Sequence, residues 1–170
     1  MFQLSELRSD PLNAVRAAFC RLEGMSGHEA GVMLLRQLYL QETGCQLPEI
    51  LTAPKGRPYF PDSPYFFSIS HTPKHAFCVL ARENVAIDAE ELDRRISPKL
   101  AHHILSPMEF SQYECAQDKR RALLSFWVLK EAAAKLSGEG LRGYPNHTSY
   151  LLDDSRVREI DGCLVAIMVE

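Results

Sequence analysis

No stretch of this 170-residue chain holds the roughly 18 consecutive apolar residues that a helical membrane span requires, so a transmembrane helix is excluded. The opening MFQLSELRSD has neither a basic patch nor an apolar leader core, and the expected location is the cytoplasm. Cysteine occurs five times, an odd number, widely spaced and with no CxxC pair. That pattern excludes a disulfide scaffold and a zinc ribbon, and Cys20, Cys45, Cys78, Cys115 and Cys163 read as reduced packing residues. Long basic runs are missing too. With 19 Lys and Arg against 22 Asp and Glu the net charge is −3, too little clustered positive charge to neutralise duplex phosphates, so no nucleic-acid partner is expected. There is no Ser/Gly linker, low-complexity tract or strong repeat, so residues 1–170 read as a single compact unit. With 46% hydrophobic residues, a chain this long can bury a core without covalent staples.

The local signals change character along the chain. Residues 9–43 predict two helices: Ser9-Asp10-Pro11 offers a cap and a first-turn proline, and Ser26 with Glu29 forms a capping box before the apolar run from Val32 to Leu40, ended by Gly44. From Gly56 to Glu90 the segments GRPYF, YFFSIS, HAFCVLA and NVAIDAE predict short strands, the last two joined by a turn at 82–84. Helices are expected again after Ser97-Pro98, after the capping box Ser106-Pro107-Met108-Glu109, and from about Asp118 to Ser137, with Gly138 at the cap. After TSYLLDD and SRVREI, Asp161-Gly162 signals a tight hairpin into CLVAIMVE. This order of helices, strands, helices and strands predicts an α+β fold with antiparallel sheet packed on helices. Two similar halves, about 1–84 and 85–170, would suit it and would place a site between them.

Three segments could carry chemistry. In Val85–Glu91 a strand sends Ile87 and Ala89 to one face and Asp88 and Glu90 to the other. Paired carboxylates repel unless they face open water, share a proton or hold a cation such as Mg²⁺, so the segment is either a solvated strand end or a metal site. In Phe126–Lys135, Trp127, Glu131 and Lys135 fall at i, i+4 and i+8 on one helical face. That stripe is either a surface ion pair worth about 0.3–0.5 kcal/mol or part of a site. Third, FSISHT at 67–72 ends a strand in hydroxyl and imidazole groups that can donate to phosphate oxygens or simply solvate the strand end. Arg57 in Gly56-Arg57-Pro58 either clamps a phosphate or is solvated. His102-His103 has no companion ligand motif, and a zinc site there is discounted.

Taken together and in order, GRPYF at 56–60, FSISHT at 67–72, AIDAEEL at 86–92 and FWVLKEAAAKLSGEGL at 126–141 resemble the GKP, SHS, GIDxE and WxxKEAxxKxxGxGL signatures of the 4′-phosphopantetheinyl transferase superfamily. The likeness runs from Arg36 to about Leu141 and is nearest the monomeric, surfactin-synthetase-activating type, whose fold is a pseudo-dimer of two α+β halves. Ala86 and Arg57 depart from the family's usual glycine and lysine. Arg21 and Arg36 stand where relatives often carry several basic residues.

The resemblance implies transfer of the 4′-phosphopantetheine group of coenzyme A to a serine of an apo acyl or peptidyl carrier protein, with release of adenosine 3′,5′-bisphosphate. It implies Mg²⁺ held by Asp88, Glu90 and Glu131, with Asp88, Glu131 and Lys135 as the catalytic residues. Lys135 would face the pyrophosphate, and Glu131 or a metal-bound water would take the serine proton. Arg36, Arg57, Ser70 and His71, with Lys135, would bind coenzyme A. Lys119, Arg120 and Arg121, with the helix at 106–116, would form either a docking patch for an acidic carrier protein or an ordinary solvated helix start. Two other readings remain open: a non-catalytic module binding coenzyme A or a carrier protein, and a metal-dependent pyrophosphate hydrolase.

Overall fold

A computed structural model describes residues 15–138 and 148–170. It contains two three-stranded antiparallel sheets. The first is built from β1 (Arg16–Arg21), β4 (Phe66–His71) and β5 (His75–Ala81) in the order β1-β5-β4. The second is built from β6 (Val85–Glu91), β7 (Val157–Ile160) and β8 (Cys163–Val169) in the order β6-β8-β7. Between β1 and β4 lie helix α1 (Gly27–Thr43) and a small ribbon of β2 (Leu51–Thr52) with β3 (Pro58–Tyr59). Between β6 and β7 lie a 3₁₀ turn at Pro98–Leu100 and the helices α2 (Ala101–Ile104), α3 (Pro107–Cys115) and α4 (Lys119–Ser137). In both sheets the last strand lies between the first and the middle one, and a long helix intervenes after the first.

Side-chain alternation stacks these parts into four layers. On β5, Ala76, Cys78 and Leu80 pack with Leu34, Leu35 and Leu38 of α1, while Phe77, Val79 and Ala81 turn to the other face. There they meet Val85, Ile87 and Ala89 of β6 and Val165 of β8. The alternate β8 residues Leu164, Ala166 and Met168 pack with Leu124, Val128 and Leu129 of α4. The two sheets therefore share one core, and each carries its own helix outside.

Both capping boxes hold, while Ser9-Asp10-Pro11 lies outside the described residues and Ser97 makes no side-chain cap. Ser26 and Glu29 form a reciprocal capping box at α1, as do Ser106 and Glu109 at α3, and the chain leaves α1 and α4 through left-handed glycines, Gly44 at φ 71° and Gly138 at φ 69°. The Asp161-Gly162 turn, with φ of 46° and 78°, closes the β7–β8 hairpin across the pair Ile160 and Cys163.

The first of the two helices expected in residues 9–43 is corrected. Residues 16–21 form β1, and the start of that segment lies outside the described residues. Ala17 and Phe19 pack between the sheets while Ala18 and Cys20 pack under α1, so both faces are apolar and the sequence carries neither a helical period nor a clean alternation. Pairing with β5 along Arg16–Arg21 overrides the helical propensity of RAAFCR. The segment TSYLLDD is irregular, and only Val157–Ile160 extends. All five cysteines are free, with Cys20, Cys78 and Cys163 buried and Cys45 and Cys115 exposed. No helix among the described residues is long and apolar enough to cross a membrane.

Candidate active site

The expected alternation on β6 is realised: Ile87 and Ala89 enter the core between the sheets, and Asp88 and Glu90 face α4. Asp88 lies where β6 passes β4. Its Oδ1 accepts from the Lys135 ammonium at 2.7 Å and from the Ser70 hydroxyl at 3.1 Å. Lys135 also donates to the Ile87 carbonyl at 3.1 Å and to Ser70 Oγ at 3.3 Å, and the Ala89 amide donates to the same hydroxyl at 3.2 Å. One residue from each of β4, β6 and α4 is thus joined in a single part-buried junction. Burial pushes the Asp88 carboxyl above its ordinary value, with the Lys135 ammonium pulling the other way. Its second oxygen, Oδ2, is buried with no hydrogen-bond partner among the described residues.

Glu131, one turn before Lys135 on α4, is half-buried. Burial and the nearby Asp88 charge push its carboxyl up, and Lys135 and Arg94 oppose that shift. Glu90 is held differently: its Oε1 accepts from the Trp127 indole at 3.0 Å and pairs with the Arg94 guanidinium, which lies over the Trp127 ring at 5.4 Å. Among the described residues no three His, Cys, Asp or Glu side chains stand close enough together to hold a metal ion. The donor chemistry nevertheless fits a hard divalent cation, because Asp88, Glu90 and Glu131 offer only carboxylate oxygens and Asp88 Oδ2 is buried without a partner.

Beside the junction is a cavity of about 280 Å³, lined by Lys55, Gly56, Arg57 and Pro58, by Phe67, Ser68 and Ile69 of β4, and by the last turn of α4 with Lys135. Arg57 crosses from the β2–β3 ribbon to the second sheet. Its guanidinium donates to the Leu136 carbonyl at 2.7 Å, to Asn84 Oδ1 and to the Val85 carbonyl at 3.3 Å. The planar fork spreads its donors over acceptors on three separate residues, which gives the arginine in place of lysine a physical role. Ala86 is fully buried in regular β6 and pairs with Met168, so the departure from glycine is accommodated.

The remaining sequence candidates are spread out. His71 ends β4 exposed, on the face opposite Ser70, and covers Gly27 at the start of α1 so closely that a Cβ there would come within 2.5 Å of its ring. Arg36 is exposed along α1 and is not among the residues lining the cavity. Arg21 belongs to a different cleft, where it pairs with Asp161 at 2.7 Å. Of the basic residues at the start of α4, Lys119 contacts Glu114 and Arg121 pairs with Glu159 at 2.8 Å.

Two features escaped the sequence reading. Arg94 lies outside every motif yet binds one of the three carboxylates. Lys130, inside a motif, turns away from the site and pairs at 2.8 Å with Glu109, the two side chains 2% and 0% exposed. Adjacent residues on a helix diverge by about 100°, so Lys130 enters the core while Glu131 faces the cleft.

Residues 84–162 match the family profile of the 4′-phosphopantetheinyl transferase superfamily. A protein of Haemophilus influenzae named "Putative 4′-phosphopantetheinyl transferase" is 33% identical over 100 residues, 56% of this chain and 43% of that protein. Proteins named holo-[acyl-carrier-protein] synthase are similar over shorter stretches. That of Hamiltonella defensa is 46% identical over 28% of this chain and 38% of its own length, and that of Yersinia enterocolitica 43% identical over 31% and 42%. The matched stretches cover about two-fifths of the length of each of these relatives.

Proposed function

We propose that this chain, whose residues 84–162 match the profile of the 4′-phosphopantetheinyl transferase superfamily, moves the 4′-phosphopantetheine group of coenzyme A onto a serine of an apo acyl or peptidyl carrier protein. The two sheets of like strand order are read as the halves of a monomeric pseudo-dimer, as in the surfactin-synthetase-activating type, with the site at their junction. One observation carries the reading. Asp88, Ser70 and Lys135, contributed by three elements, meet beside a cavity while Asp88 keeps a buried oxygen unpartnered.

Asp88, Glu90 and Glu131 would hold a Mg²⁺ ion. When bound, it would neutralise charge on the pyrophosphate of coenzyme A. Lys135 is a third exposed and lies at the cavity wall, so its ammonium can turn from Asp88 toward a phosphate oxygen and offset charge on the departing bisphosphate. Glu131, with its carboxyl raised above the ordinary range, is suited to accept the proton of the carrier serine at a carboxylate oxygen. Ser70 is already engaged on several sides, so its part is to fix Asp88 and Lys135. Arg57 fixes the cavity wall and leaves charge beside the ligand, and His71 and Arg36 supply charge or hydrogen bonds farther out.

The test is mass spectrometry of a panel of apo carrier proteins incubated with the protein, coenzyme A and Mg²⁺. A gain of about 340 Da, the transferred group, is expected on at least one serine-bearing carrier. No gain on any carrier rejects the activity. Release of the bisphosphate without an acceptor would favour the hydrolase instead.

A further inference from the structure

After β6 the chain turns back on itself, the Arg94 amide donating to the Glu91 carbonyl at 2.9 Å. That turn brings the Arg94 guanidinium over α4. Its partners form a closed arrangement. Arg94 pairs with Glu90, Glu90 Oε1 accepts the Trp127 N–H at 3.0 Å, and the guanidinium covers the Trp127 ring at 5.4 Å. Trp127 is the only tryptophan of the chain. The Arg94 cation is thus paired with one of the three carboxylates, while Lys135 occupies another, Asp88.

We propose that Arg94 is a resident competitor for the metal site: with Trp127 it clamps Glu90 outward, and a divalent cation completes its carboxylate set by displacing that guanidinium. This rests on the metal reading given above and adds a positioning residue to it. The physical argument is competition. The Arg94 guanidinium sets a positive charge on Glu90 Oε1 beside the indole, so an ion that uses this carboxylate must displace that charge or work against it. The observed cation affinity is therefore the intrinsic affinity reduced by the fraction of molecules in which the clamp is open. Releasing Arg94 also removes a cation from over the sole indole, so ion binding carries its own optical signal.

The experiment titrates Mn²⁺ into the full chain, with and without coenzyme A, following free Mn²⁺ by electron paramagnetic resonance and Trp127 by fluorescence. Wild-type protein should bind the ion with a change in Trp127 emission. Arg94→Gln should bind about 3- to 5-fold more tightly, the scale expected when a partly exposed ion pair no longer competes. Arg95→Gln removes the same charge from an exposed neighbouring side chain and should stay within about twofold of wild type. Arg94→Gln binding no tighter than wild type overturns the proposal but leaves the metal site standing. Arg95→Gln tightening as much as Arg94→Gln also overturns it, because the effect is then a general field. No binding by any of these proteins under either condition overturns the metal reading and the proposal together.

Discussion

Replacing Lys130 by methionine tests whether the lysine inside the WxxKE motif belongs to the scaffold or to the chemistry. The side chain is 2% exposed, its ammonium lies 2.8 Å from the fully buried Glu109 carboxylate, and it donates at 3.0 Å to the Thr148 carbonyl. Glu109 in turn accepts from the Ser106 amide at 2.8 Å and the Tyr150 amide at 3.0 Å, so this pair ties α4 to the start of α3 and to the segment before β7. Methionine fills similar space but leaves a buried carboxylate with no cation. Breaking a buried pair from one side costs about 3–5 kcal/mol. For a chain of this size that corresponds to a melting temperature lower by roughly 6–20 °C. Urea unfolding gives the loss as a shift in midpoint at unchanged slope. Lys130→Met with Glu109→Gln should recover at least half of it, because the stranded charge is gone. Below its melting temperature, Lys130→Met should keep transfer activity within about tenfold of wild type, since the group points away from the cleft. A loss of less than about 1 kcal/mol would refute the packing argument, and a stable but inactive variant would place Lys130 in the chemistry instead.

The other expectations are shorter. Lys135→Met should fold yet lose at least about 100-fold in transfer rate, because no other described group shares its place between Asp88 and the cavity. Full activity in that variant would remove the lysine from the mechanism. Asp161 is held down at about 2, first by its hydrogen bonds from Arg21, with His75 also contributing, against an ordinary value of 3.8. Its folded value lies below its unfolded one, so its stabilisation is present above about pH 4 and is lost as pH falls toward 2. Asp161→Asn keeps a residue that tolerates the φ of 46° but removes the charge, so its urea midpoint should lie below wild type at neutral pH and converge with it in acid. Parallel curves down to pH 2 would contradict this. Gly27→Ala places a Cβ 2.5 Å from the His71 ring and must move it. The expected result is a higher KM for coenzyme A with kcat little changed, and an unaltered KM would take His71 out of the ligand site.

Short-range chemistry was the most readable part of the chain. Both capping boxes, the left-handed glycines and the Asp161-Gly162 turn depend on neighbours within a few residues, and each is where the sequence places it. The alternation on β6 was equally plain, because Asp88 and Glu90 contrast sharply with Ile87 and Ala89. β1 was not legible: its two faces are both apolar, and its strand state is decided by β5, more than fifty residues away. Nor could spacing show that the turn at 82–84 carries the chain from one sheet to the other. At the site, only the family resemblance placed Asp88, Lys135 and Ser70 together, and the structure brings these three side chains within hydrogen-bonding distance. The sequence could not show that Arg94 takes Glu90 or that His71 and Ser70 face apart, because those follow from turns and strand pleat rather than from residue type.

Arg57 has a mechanical consequence. A single guanidinium rooted in the β2–β3 ribbon grips backbone oxygens on both α4 and β6, so it works as a bolt across the mouth of the cleft. Loosening that bolt would free the ribbon from both elements at once, so the shape of the cavity wall hangs on the hydrogen bonds of one side chain.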